Sequence, residues 1–178
     1  MYASVLKFWF QEISPEQWWK VDAGFDALIA EQFAELHEQA TRSELYEWRV
    51  DPRGRLAEVI VLDQFSRNLH RGDRRAFASD NMALALAQEA VAAHADAALT
   101  PEERAFLYMP YMHSESKAIH EVAVQLFKNS GPQSNYDFEL RHKAIIDRFG
   151  RYPHRNAALG RPSTTEELAF LTEPGSSF

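Results

Sequence analysis

The apolar residues of this chain recur at the three- and four-residue intervals of α-helices, and no stretch alternates as a strand would. A clear example follows Asp22, whose carboxylate suits a helix N-cap. Its apolar members are Phe25, Leu28, Ile29, Phe33 and Leu36. His37 and Glu38 are expected at the exposed end of the same helix. The pattern predicts an all-α fold.

Glycine and proline divide this pattern into separate helices. The clearest start signal is Thr100-Pro101-Glu102-Glu103, a capping box with proline at the first helical position. We expect Pro110 to break or kink the helix that starts there. Further helices are predicted over 3–10, 56–69, 80–94, 115–128 and 136–149, with a loop at 129–132 and a last helix after Ser163 or Thr164. About eight to ten helices would form a single domain over residues 1–178.

The segment from Leu56 to Leu69 is almost uniformly apolar until Asp63. Its β-branched residues would also suit a buried strand, but its length favours a central helix buried on most sides. Polar residues then follow in two adjacent rows, one of Asp63, Arg67 and Arg71 and one of Gln64 and Asn68. Buried polar groups need partners. Either Asp63 therefore pairs with Arg67 while the other side chains cap neighbouring loops, or these side chains face a ligand.

A second polar segment surrounds the expected helix break at Pro110. His113 is a candidate general base, or a hydrogen-bond donor to an anion. Glu115 could orient such a histidine, as Asp63 could. Alternatively, Ser114 and Glu115 form only the cap and first turn of the next helix.

The third polar segment is an arginine-rich turn at 147–161, interrupted by two glycines and a proline. Gly150 is well placed to end the preceding helix in the left-handed conformation, and irregular structure is expected after it. His154 is a further candidate for proton transfer, and the candidate ligand-binding residues here are Arg148, Arg155, Asn156 and Arg161. The alternative is that these arginines fasten the last helix to the body. If there is a site, we expect the three polar segments to form its walls.

Composition narrows the possible functions. The chain of 178 residues is 46% hydrophobic, which suits one globular domain. It has no cysteine, and therefore no disulfide, thiolate ligand or cysteine nucleophile. His113 and His120 are too far apart on a helix to share an ion, so we expect no metal and no cofactor. The net charge of −7, without a recognisable nucleic-acid-binding module, argues against nucleic acid.

Neither a signal-peptide pattern nor an apolar run of membrane-spanning length occurs in the sequence. We therefore expect a cytoplasmic protein without a membrane partner. The aromatic N-terminal residues are expected in the core, with a homodimer contact as the alternative.

Several blocks of the sequence resemble, in order, the bacterial domain-of-unknown-function family 924. They include Leu62-Asp63-Gln64-Phe65-Ser66-Arg67-Asn68, Tyr108-Met109-Pro110-Tyr111-Met112-His113-Ser114-Glu115 and Arg148-Phe149-Gly150-Arg151-Tyr152-Pro153-His154-Arg155-Asn156. Tyr152 stands where the family often has phenylalanine, and Met112 where many members have glutamate. The resemblance spans nearly the whole chain and implies an all-α fold of the tetratricopeptide-like superfamily. It implies no activity.

Two functional hypotheses follow. The first is a polar pocket for a small anionic or carboxylate-bearing ligand, with hydrolase or transferase chemistry as a possibility. The second is a tetratricopeptide-like scaffold that binds a peptide or protein, in which the arginine turns are structural.

Overall fold

The computed structural model describes residues 1–130 and 132–177, and these residues contain nine helices and no strand. The prediction of an all-α fold is confirmed. The N-terminal half consists of α1 (Tyr2–Lys7, continued by a π-helical turn at Phe8–Glu12), α2 (Ala23–Thr41), α3 and α4 (Asp80–Ala92). In α3, α-helical segments Pro52–Ile60 and Ser66–Leu69 flank a π-helical turn at Val61–Phe65.

The C-terminal half consists of α5 (Pro101–Met112), α6 (Lys117–Ser130), α7 (Gln133–Phe149), α8 (Asn156–Leu159) and α9 (Thr165–Phe170). Short 3-10 turns at Pro15–Trp18, Tyr46–Val50, Arg74–Phe77, Ala95–Ala98 and Pro153–Arg155 connect the helices. Of these described helices, none is both long and apolar enough to cross a membrane.

Helix α3 is the centre of the core, as its apolar sequence predicts. From Leu56 to Phe65 every residue is buried, and α1, α2, α4 and α5 pack around it. The helix starts close to the preceding 3-10 turn, where a Cβ on Gly54 would lie 2.1 Å from the Trp48 carbonyl oxygen. Each fully buried Leu, Ile or Phe stabilises this core by about 1.5–3 kcal/mol. The polar end of α3 is therefore held in a fixed position.

The N-terminal aromatic residues belong to the same core. Phe8 lies 5.0 Å from Phe33 and Trp9 lies 5.6 Å from Phe65, measured between ring centroids. Offset and edge-to-face ring pairs of this kind add to the stabilisation from burial. The expectation that these aromatics form core contacts is confirmed for Phe8 and Trp9.

Four local predictions need correction. Pro110 does not break α5, which continues to Met112 because the whole segment from Ala105 onward is buried against α3, α4 and α6. His37 is buried, not exposed. The irregular structure expected after Gly150 includes the 3-10 turn at Pro153–Arg155 and helix α8. The predicted loop at 129–132 is partly wrong because α6 extends through its first two residues, and Gly131 lies outside the described residues.

Two capping predictions are confirmed. Gly150 ends α7 with φ 69°, in the left-handed region that glycine adopts without strain. Thr100 and Glu103 form the predicted capping box at the start of α5. Gly150 thus sets the start of the turn after α7, and the capping box sets the start of α5.

Candidate polar site

The π-helical turn in α3 places Asp63 at the point where α3 meets the end of α5. The Asp63 side chain is 1% exposed. Its Oδ1 accepts a hydrogen bond from His113 Nδ1 at 2.8 Å and lies 3.2 Å from Arg67 Nη1. Its Oδ2 accepts a hydrogen bond from Gln64 Nε2 at 2.6 Å. Isolated π-helical turns of this kind occur frequently at functional sites.

Asp63 is ionised. Burial alone would raise the pKa of its carboxyl, but Arg67 and His113 hold that pKa well below its usual range. An ionised carboxylate can only accept hydrogen bonds, so His113 Nδ1 carries the proton of their shared bond. In the neutral ring the lone pair is then on Nε2. Burial and the nearby Arg67 lower the pKa of His113, against the opposing effect of Asp63.

Asp80, the first residue of α4, joins two arginines. Arg67 donates to both of its carboxylate oxygens, at 3.0 and 3.1 Å, and Arg155 Nη1 donates to Oδ2 at 3.2 Å. Both arginines also lie near the ring of Phe77, with Cζ 5.6 and 4.7 Å from its centroid. Asp80 therefore connects the end of α3 to the turn after α7. We refer to Asp63, Arg67, Asp80, His113 and Arg155 as the polar cluster.

Arg155 is the most buried guanidinium of the cluster, at 5% exposure. Its Cζ lies 4.6 Å from the centroid of the Tyr152 ring, in addition to the contact with Phe77. Its Nε is buried and has no hydrogen-bond partner among the described residues. Burial and the nearby Arg67 lower its pKa. Arg155 is thus a buried cation with an unused donor.

Glu115 holds the arginine turn rather than a histidine. Its Oε1 accepts from the Tyr152 backbone N–H at 2.7 Å, and Arg161 donates to both of its oxygens at 2.6 and 2.9 Å. Asn156, which is 1% exposed, accepts from Arg161 Nε at 3.0 Å and donates to Ser163 Oγ. These contacts form a supporting layer next to the cluster.

Tyr152 lies between this layer and a set of histidines. Its hydroxyl donates to the Met112 carbonyl at 2.5 Å and lies 3.2 Å from His120 Nε2. The rings of His142 and His154 lie 5.9 and 5.7 Å from the Tyr152 ring. Burial, with the positive charge of Arg155, lowers the pKa of His154 to about 3. His154 is therefore neutral at neutral pH.

Not every predicted site residue reaches the cluster. Asn68 and Arg71 both donate to Asp26 of α2, at 2.7–2.8 Å. Arg71 leaves the predicted row because α3 ends at Leu69. Arg148 pairs with Glu166 at 2.9 Å on the exposed surface. A ligand-binding role for these three residues stays a prediction that the geometry does not favour.

The structure thus brings together members of all three polar segments: Asp63 and Arg67 of α3, His113 and Glu115 after α5, and Arg155, Asn156 and Arg161 of the turn. Sequence reasoning missed Asp80 and Phe77 as parts of the site. Asp80 was recognisable only as a possible helix start, and no local signal distinguishes a cap from an arginine partner.

Comparisons with other proteins agree with this fold. The profile of a family described as bacterial protein of unknown function (DUF924) matches residues 5–175. The chain belongs to this family. A solved structure of a protein of unknown function from Agrobacterium tumefaciens is 35% identical to this DUF924 chain, with a TM-score of 0.90 and coverage of 96% of both chains. No curated protein matches the chain.

Membership of DUF924 confirms the resemblance stated from the polar blocks, which lie within the matched range. The similar structure supports the whole helical arrangement, since it covers nearly all of both chains. Neither comparison names an activity. The tetratricopeptide-like relationship stays a prediction. Any function must therefore be argued from the cluster itself.

Proposed function

We propose that this chain binds a small anionic ligand at the polar cluster and transfers a proton between that ligand and His113. The observation that carries the proposal is the buried Arg155 side chain, whose Nε–H has no acceptor among the described residues. A buried donor without an acceptor costs about 1–3 kcal/mol. An anionic oxygen bound at this edge of the guanidinium would remove that cost.

Other arginines of the chain illustrate the missing interaction. Arg49 binds Glu58 through Nε and Nη2 at 2.8 and 2.7 Å, and Arg151 binds Glu167 in the same way at 2.6 and 2.8 Å. Arg155 contacts its acid, Asp80, through Nη1 instead. The Nε–H that binds a carboxylate in Arg49 and Arg151 therefore has no acceptor among the described residues in Arg155. The Nε–Nη2 edge of a guanidinium matches a carboxylate or phosphate group.

His113 provides the acid–base group. Its side chain is 12% exposed, so a small part of it meets solvent, while Asp63 fixes its orientation and tautomer. A carboxylate that holds the second ring nitrogen is the arrangement by which proteins prepare histidine for proton transfer. Hydrolysis or group transfer on the bound anion would use such a proton. Glu115 and Asn156 would act indirectly, by holding the turn that carries Arg155.

The test is ligand-dependent stabilisation of the folded chain. We expect acetate, inorganic phosphate or another small anionic metabolite to raise the melting temperature, because a ligand that binds only the native state stabilises it. Arg155→Lys keeps a positive charge beside Asp80 but removes the Nε–Nη2 edge, and it should abolish the shift. Arg148→Lys is the matched control, since Arg148 pairs with Glu166 on the exposed surface.

The result that would overturn the proposal is equally specific. A melting-temperature shift that survives in Arg155→Lys would place the ligand elsewhere. A screen of small carboxylates and phosphates that yields no shift in the wild-type chain would favour a structural role for the cluster.

A further inference from the structure

The charges of the polar cluster cancel. Two carboxylates, Asp63 and Asp80, lie against two guanidinium groups, Arg67 and Arg155. The neighbouring pair of Glu115 and Arg161 cancels in the same way. An anion that binds to Arg155 would therefore leave one excess negative charge in a place largely shut from water. An uncompensated charge in such surroundings is costly.

His113 is the group that can supply the compensating charge. Helix α3 presents Asp63 and Arg67 to it, α4 presents Asp80, α7 presents His142, and the turn after α7 presents His154. Burial and Arg67 hold the pKa of His113 below its ordinary value in the free protein. Contacts through Asp80, Arg67 and Asp63 link Arg155 to His113. An anion on Arg155 would add a negative charge to this linked cluster and would raise the pKa of His113, since an opposite charge favours the ionised form.

We propose that the cluster takes up one proton together with one anion, and that the proton resides on His113 in the complex. The inference rests on the proposed function. The proton comes from solvent and adds to Nε2. The Nδ1 proton stays on His113 and keeps its hydrogen bond to the Asp63 carboxylate, and no bond of the ligand breaks. One proton balances one negative charge, so the cluster selects a monocarboxylate over a dianion such as sulfate.

This coupling has a defined sign. Because binding takes up a proton, the affinity for a monocarboxylate increases as the pH falls. The increase is at most about tenfold per pH unit, and it occurs between the pKa of His113 in the free protein and its pKa in the complex. In the complex His113 is an imidazolium, which makes it a proton donor toward the bound ligand.

The experiment is an NMR titration of the full chain with acetate and with sulfate from about pH 6 to about pH 8, around the ordinary histidine pKa. Acetate should bind more tightly at the lower pH, by up to about a hundredfold over these two units, and more tightly than sulfate there. The Cε1–H resonance of His113 should move toward its imidazolium position when acetate is added near neutral pH.

Two variants separate the possible results. His113→Asn keeps a donor toward Asp63 but cannot take up the proton, so its acetate affinity should not change with pH. His94→Asn is the control, because His94 is exposed and adopts a left-handed conformation that asparagine tolerates. It should titrate like the wild type.

The failures of the two proposals are distinguishable. Acetate binding that depends on Arg155 but not on pH would overturn the proton coupling and leave the anion site standing. Tighter binding of sulfate than of acetate would overturn the selection for a monoanion. Failure of both acetate and sulfate to bind at any pH would overturn this inference and argue against the anion site itself.

Discussion

Asp63 Oδ1 accepts a hydrogen bond of 2.8 Å from His113 Nδ1, joining two residues that are fifty positions apart in the chain. The carboxylate belongs to the central helix α3, and the histidine caps the C-terminus of α5, which packs against α3. One bond therefore connects the rigid core to the group that we expect to carry protons. Its loss should affect both stability and binding.

Replacement of Asp63 by asparagine tests the stability contribution of this carboxylate. Asp63→Asn leaves Arg67 and His113 beside a neutral amide, and removing one partner of a buried ion pair typically costs about 3–5 kcal/mol. We expect the unfolding free energy to fall by an amount near the lower end of this range, because Arg67 still pairs with Asp80. Chemical denaturation measures it. Asp137→Asn, on the exposed surface of α7, should change the unfolding free energy by less than about 0.5 kcal/mol.

The same variant predicts a change in acid sensitivity. The folded-state pKa of Asp63 lies below its unfolded value, so its stabilisation is present above the ordinary carboxyl pKa and is lost as the pH falls. The wild type and Asp63→Asn should therefore converge in stability as the medium is acidified. Parallel curves down to strongly acid pH would contradict the ionised assignment.

Much of the scaffold could be predicted because its signals are local. The central position of α3 follows from an apolar segment without glycine or proline between Leu56 and Leu69, and the turn after α7 follows from Gly150. Polar residues that interrupt such a segment must find partners. That rule singles out Asp63 and Arg67, whose predicted pairing the structure shows at 3.2 Å.

The other partners of these residues could not be predicted, because they depend on packing between distant elements. Asp80 lies 13 positions from Arg67 and 75 from Arg155. The apolar pattern of α2 predicts that His37 is exposed, yet His37 is buried and its Nε2 lies 2.7 Å from Ser66 Oγ of α3. The spacing of apolar residues along one helix does not show which other helix packs against its end.

His37 makes a prediction about pH. Burial lowers its pKa to about 4, so the folded chain holds it neutral while the unfolded chain protonates it near the ordinary value. Its contribution to the unfolding free energy is therefore present above about pH 6.5 and declines as the pH falls toward 4. His37→Gln places an amide N–H where Nε2–H bonds Ser66 and removes the titration.

We expect the unfolding free energy of His37→Gln to fall less steeply with acidification over this interval. Its slope against pH should be smaller than that of the wild type by up to about 1.4 kcal/mol per pH unit, which corresponds to one proton. Urea denaturation at a series of pH values measures the slope. His94→Asn removes an exposed histidine and is the reference. Equal slopes in wild type and His37→Gln would show that His37 is protonated in the folded chain.

The arginine turn allows a comparison of two ion pairs. The side chains of Glu115 and Arg161 are 26% and 25% exposed, and Glu115 also accepts a hydrogen bond from a backbone N–H of the turn. The side chains of Glu166 and Arg148 are 63% and 47% exposed. A double-mutant cycle with Glu115→Gln and Arg161→Met should give a coupling of about 1 kcal/mol or more. The cycle with Glu166→Gln and Arg148→Met should give about 0–0.5 kcal/mol. Equal coupling free energies in the two cycles would show that the Glu115–Arg161 pair does not stabilise the turn.

The Tyr152 hydroxyl lies between the polar cluster and the buried histidines, and Tyr152→Phe removes this one group. Its side chain is fully buried, and the hydroxyl donates to the Met112 carbonyl. Tyr152→Phe keeps the ring against Arg155 and removes one oxygen atom, so the change should fit sterically. The unpaired carbonyl should lower the unfolding free energy by about 1–3 kcal/mol.

Ligand binding should respond differently from stability in this variant. The ring contact with Arg155 and the bonds of Asp63, Asp80 and His113 do not involve the Tyr152 hydroxyl. Acetate affinity should therefore stay within about twofold of wild type, since the hydrogen bonds expected to hold the anion are unchanged. Tyr46→Phe, at an exposed position, should alter neither property. A large loss of affinity in Tyr152→Phe would place the hydroxyl in the ligand site and move that site toward His120.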